Sequence, residues 1–136
     1  MPRVFACCLL LSTACANTVL YSRFAGPVTG SPEEVYACVV AQLKTMGYRR
    51  TQYDETARWY MAEKIVKNQV SSGLYRHTLE VLDSRVKSAE SGGATLEITA
   101  RTFDEFASAR GEDRQERKAS DRVQLDARTL GQACAK

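Results

Sequence analysis

The chain is poor in the residues that most enzyme chemistry needs. It holds one histidine, His77, and its Cys, His and acidic residues never gather at the spacing of metal ligands, so no metal-binding residue is nominated. No G-x-S-x-G elbow, phosphate-cradling glycine loop or dinucleotide fingerprint occurs. The expectation is therefore a protein that is not an enzyme, with no catalytic residue and no cofactor. Charge of one sign is also lacking: 19 Lys and Arg against 16 Asp and Glu give a net +3. Nucleic-acid binders show a basic stripe and a larger excess, whereas Arg49-Arg50 is the compact basic group here and reads as a solvated turn. No nucleic-acid partner is expected. Long apolar runs are missing too, since Val35 to Leu43 is broken by polar residues well before the roughly eighteen residues that a membrane span takes.

Acidic residues occur as neighbours: Glu33-Glu34, Asp54-Glu55, Asp104-Glu105 and Glu112-Asp113. Neighbours point in different directions on a helix or strand, and acid–base catalysis needs two carboxylates converging on one substrate. These pairs read as caps, turns and solvated surface.

What is present begins at the N-terminus. MPRVFACCLLLSTACA carries Arg3 beside the terminal amine, an apolar run from Val4 to Leu11 and then small residues, the layout of an export signal. As a helix that eight-residue run reaches about 12 Å, well short of the roughly 30 Å hydrocarbon core, so it is not a membrane-spanning segment. Two processing sites overlap. Ala14-Cys15-Ala16 fits the small-x-small pattern that an ordinary signal peptidase cuts before Asn17. Ser12-Thr13-Ala14-Cys15 resembles the lipobox of bacterial lipoproteins, with its usual aliphatic residue one step further back at Leu11. That resemblance implies acylation of Cys15, a lipid bilayer as a partner, and, because Ala16 rather than Asp follows the cysteine, an outer-membrane address facing the periplasm.

Of the five cysteines, Cys7 and Cys8 leave with the signal and Cys15 is lipidated or lost, which leaves Cys38 and Cys134. An even pair in an exported chain predicts a disulfide between them. The expected organisation is a signal peptide over 1–14, a lipidated N-terminus and tether over 15–30, and a single domain over 31–136.

Asn17 to Gly30 holds no sustained period and contains Gly26-Pro27, so it reads as the tether. Ser31-Pro32-Glu33-Glu34 is a helix start, with a capping hydroxyl, proline at the first helical position and carboxylates in the first turn. Val35, Val39, Leu43 and Met46 carry the helix over 32–46 until Gly47 ends it. RRTQYDE, WYMAEKIVK, LYRHTLEVLDSRVK and ATLEITARTF then read as strands, the last two alternating in polarity. DEFASARGEDRQERKASDR is charge-dense and reads as a solvated connection, with a helix beyond Glu112 as the alternative, and Val123, Ala127, Leu130 and Cys134 form the stripe of a closing helix. The predicted fold class is a two-layer α+β domain: a four-stranded antiparallel sheet with the N- and C-terminal helices on one face.

Candidate functional residues are few. His77 falls between Tyr75 and Leu79 on the apolar side of its strand and reads as a half-buried structural histidine. Trp59 and Tyr60 are consecutive in a strand, so one joins the core and the other lies on the open face, where with Arg76 it is a candidate partner-binding surface. The expected function is that of a membrane-anchored exported lipoprotein whose small domain binds or scaffolds another cell-envelope component. The alternatives are an envelope small-ligand carrier or enzyme, or a soluble exported protein cleaved after Ala16.

Overall fold

The computed structural model describes residues 19–71 and 74–135. The expected signal peptide over 1–14 and the lipidation site Cys15 lie outside the described residues. The elements run β1 (Ser22–Val28), α1 (Pro32–Thr45), β2 (Arg49–Asp54), β3 (Trp59–Ser71), β4 (Leu74–Ser88), β5 (Ala94–Ser108), β6 (Gly111–Arg117) and α2 (Asp121–Cys134).

Both helices form where the sequence places them, α1 by its capping residues and stripe and α2 by its stripe. Ser31 closes a capping box with Glu34: its hydroxyl oxygen accepts from the Glu34 N–H at 3.3 Å, and Glu34 Oε2 accepts from the Ser31 N–H at 2.9 Å. Val35, Val39 and Leu43 are buried in α1, and Val123, Ala127, Leu130 and Cys134 in α2. One cluster joins these stripes to Tyr60 and Ala62 of β3, Leu82 and Val86 of β4, and Leu96 and Ile98 of β5. The two helices therefore share one face of the sheet.

The sheet itself corrects the four-stranded expectation. It has six antiparallel strands, in the order β1-β5-β4-β3-β2, with β6 also pairing β5. β1 pairs with Ala94–Ala100 and β6 with Thr102–Ser108, so the two lie end to end along one edge of β5. Each comes from a segment whose sequence reads as irregular. β1 lies in the expected tether, and its Pro27 is tolerated because an edge strand has positions where no ladder donor is needed. β6 lies in the expected connection, which beyond Glu112 forms this strand rather than a helix. It is exposed along almost its whole length, as charged edge strands that resist pairing with other chains often are. Gly111, at φ 117°, supplies the positive dihedral on which the β5–β6 turn closes.

Strand and helix lengths differ, and this positions the site. Fifteen residues of β4 or β5 extend about 50 Å, whereas fourteen residues of α1 or α2 extend about 21 Å. The helices cover only part of the sheet's length, and a step is left where α2 begins.

Candidate functional site

At that step lies a cleft of about 440 Å³. Its floor is supplied by the even-numbered residues of β4 and β5, which face the helices: Glu80 and Thr102 are each 1 % exposed. In the alternating sequence of β4, Glu80 shares the more polar side with Arg76 and Thr78, and that side is the one beneath α2. The Ser120 hydroxyl donates to Glu80 Oε1 at 2.7 Å while its oxygen accepts from the Val123 N–H at 3.1 Å. The Ser120 N–H in turn donates to Thr102 Oγ1 at 2.9 Å. The start of α2 is thus fastened to the cleft floor. Glu80 Oε2 is buried and has no hydrogen-bond partner among the described residues.

The rim is basic. Lys67 comes from β3, Arg76 from β4, Arg117 from β6 and Arg122 from α2, and all four are exposed. Asp104 lies between two of them, accepting from Arg76 Nη2 at 3.3 Å, from Arg117 Nη1 at 3.1 Å and from the Thr78 hydroxyl at 3.1 Å. Burial pushes the Asp104 carboxyl up, but the hydrogen bonds from Arg117, Thr78 and Arg76 outweigh it and hold the group below its ordinary value.

Behind the cleft a second polar group joins α2 to the end of α1. The Tyr48 hydroxyl donates to Asp126 Oδ2 at 2.8 Å, and Lys64 Nζ donates to the Met46 carbonyl at 3.1 Å and lies 3.7 Å from Asp126. Burial, and after it the bond to Asp126, raise the Tyr48 phenol far above its ordinary range, so it stays a donor.

The opposite face carries Trp59. The register sets Trp59 against Arg85 on the open face and Tyr60 against Ser84 on the helix face. Tyr60 is buried, edge-on to Tyr36 with ring centroids 6.4 Å apart. Trp59 is half-buried; its indole N–H donates to Asp83 Oδ1 at 2.7 Å and the Arg85 guanidinium lies 5.6 Å from its ring. Arg76 is on the other side of the sheet, so the structure does not bring it together with Trp59. His77, on the open face, stacks on Tyr75 at 4.5 Å with Nδ1 3.9 Å from Glu105. No hydroxyl or thiol nucleophile is bonded to it among the described residues.

The open face also hides apolar side chains that the alternation pattern did not assign to a second core. Leu79 and Val81 are 2 % and 3 % exposed. Leu79 sits between Ile65 and Phe103 on the flanking strands, and the Arg114 guanidinium lies 4.2 Å from the Phe103 ring. Long polar side chains laid over apolar neighbours account for this burial without a third layer.

Among the described residues no cluster of three or more His, Cys, Asp or Glu could hold a metal ion. Among these residues, too, no helix is long and apolar enough to cross a membrane. Cys38 and Cys134 are joined by a disulfide, with Cα atoms 5.8 Å apart. Neither a protein-family model nor a curated protein matches the chain. Among solved structures it is similar to a DUF4468 family protein from Bacteroides ovatus, at 13% identity over 83% of this chain and 78% of that one, with a TM-score of 0.35. A likeness of that size says nothing of function.

Proposed function

We propose that the chain is an exported lipoprotein, held to the cell envelope through acylated Cys15, whose domain binds or scaffolds another envelope component. The observation that carries the reading is the Cys38–Cys134 bridge. Structural disulfides belong to oxidising compartments, which agrees with an export leader over 1–14 and with an anchor that would face the periplasm from the outer membrane. The half-buried Trp59, with Arg85 beside its ring, is the contact offered to a partner on the open face.

The decisive experiment is metabolic labelling with an alkynyl fatty acid in the native cell. The wild-type chain takes up label and sediments with membranes; Cys15→Ser takes up none and moves to the soluble fraction. An intact mass that begins at Asn17 without lipid would overturn the anchor and leave a soluble exported protein cleaved after Ala16.

A further inference from the structure

We infer that the cleft at the start of α2 binds a small amine-bearing phosphate ester, its phosphate on Arg76, Arg117 and Arg122 and its ammonium on Glu80. Four cationic and two anionic side chains line the cleft, an excess of two positive charges that draws in an anion. Asp104 does not use up that excess. It engages Nη2 of Arg76 and Nη1 of Arg117, leaving further guanidinium donors on both. Guanidiniums from three elements, β4, β6 and α2, line one cleft, and three such groups match the several oxygens of a phosphate better than the two oxygens of a flat carboxylate. The N-terminus of α2 lies at the same place, and its dipole adds to the positive field.

Glu80 sets the second requirement. A carboxylate oxygen that is buried and accepts no hydrogen bond carries an uncompensated desolvation cost. Within a basic rim that cost is relieved by a donor that arrives tied to an anion. A bare cation would be repelled by the arginines, and a bare anion would be drawn in but would leave Glu80 Oε2 without a donor. The ligand is therefore a zwitterion whose cationic end carries N–H groups. The ethanolamine phosphate of a lipid headgroup and a soluble amine phosphate share that chemistry.

The test is titration of the purified, disulfide-bonded mature protein, followed by amide chemical shifts. Phosphorylethanolamine is expected to saturate and to move the signals of Arg117, Ser120 and Arg122. Phosphorylcholine, which has no N–H, and inorganic phosphate are expected to bind roughly tenfold more weakly or worse. Glu80→Gln should remove the preference for ethanolamine over choline. Should that buried substitution prevent folding, the exposed pair Arg76→Ala with Arg117→Ala decides, since it should abolish binding of every phosphate probe. Sedimentation with phosphatidylethanolamine vesicles, but not phosphatidylcholine vesicles, assigns the headgroup as the source; binding of soluble phosphorylethanolamine without it assigns a soluble ester. Absence of saturation, or saturation that the double arginine variant leaves unchanged, overturns the inference. Equal affinity for phosphorylethanolamine and inorganic phosphate also overturns it, because Glu80 would then have no part in recognition.

Discussion

Glu97 shows how much a single side chain on the open face can tie together. Lys87 Nζ and Arg23 Nη2 each lie 2.9 Å from its carboxylate, so one residue of β5 links β4 to β1. The hydrogen bond from Lys87 is the largest influence and lowers the pKa, desolvation opposes it in part, and the hydrogen bond and charge of Arg23 lower it further. A depressed carboxyl contributes stability that is present above its unfolded value of 4.5 and is lost as pH falls through the lower folded value. Glu97→Gln should therefore unfold at lower urea than the wild type at pH 7, with the two midpoints converging in acid, once the wild-type Glu97 carboxyl is protonated in both its folded and unfolded states. A difference that persists unchanged at low pH would mean that the effect is packing rather than charge. The neighbouring pair Trp59 and Tyr60 separates two roles. Tyr60→Ala should cost about 3–5 kcal/mol because the ring is buried against Tyr36. Trp59→Phe keeps a ring and loses one donor to Asp83, a loss of about 1 kcal/mol. Urea denaturation of both measures the gap. Equal losses would make Trp59 a core residue and remove the case for its binding a partner.

Elements were legible in proportion to how much of one face they bury. α1 announces itself because capping residues and an apolar stripe agree, and α2 announces itself by its stripe. β4 and β5 announce their alternation, although β4 is buried on both faces over Leu79–Leu82 and so gives no clue to which side meets the helices. β1 and β6 bury little and lie on an edge, so their sequences follow edge rules instead: Pro27 in one, a nearly continuous run of charge in the other. A signal for β6 did exist. Ser108-Ala109-Arg110-Gly111 is serine at the first and glycine at the fourth position of a turn, a favoured pattern for the commonest turn type. The cleft could not be read, because its residues come from five elements whose meeting depends on β6 being a strand. Gly111→Ala tests that element directly. A Cβ there would meet nothing within 4 Å, so any loss comes from the backbone at φ 117° rather than from a clash. About 1–3 kcal/mol is expected. An unchanged urea midpoint would show that the turn tolerates a residue other than glycine.

At the scale of the molecule, the helix pair is held at both ends by different chemistry. One end carries the bridge, joining the middle of α1 to the last residue of α2 across 96 positions of sequence. The other end carries Tyr48, Lys64 and Asp126, beside the cleft. A loop of this length is worth about 4–5 kcal/mol in the chain-entropy model, an upper figure, against a total of about 5–15 kcal/mol for a typical domain. Reduction should therefore lower the melting temperature by roughly 10 °C or more, and Cys38→Ala with Cys134→Ala should reproduce the drop and abolish further sensitivity to reductant. The entropic effect acts on the unfolded chain, so the folded cleft should not notice it: the amide signals of Thr102, Ser120 and Arg122 should stay in place in the reduced protein below its transition. Movement of those signals would mean that the bridge sets the position of α2 and not only the stability of the fold. Recovery of two free thiols by alkylation of the protein taken from its native compartment would remove both the stabilisation and the support for export.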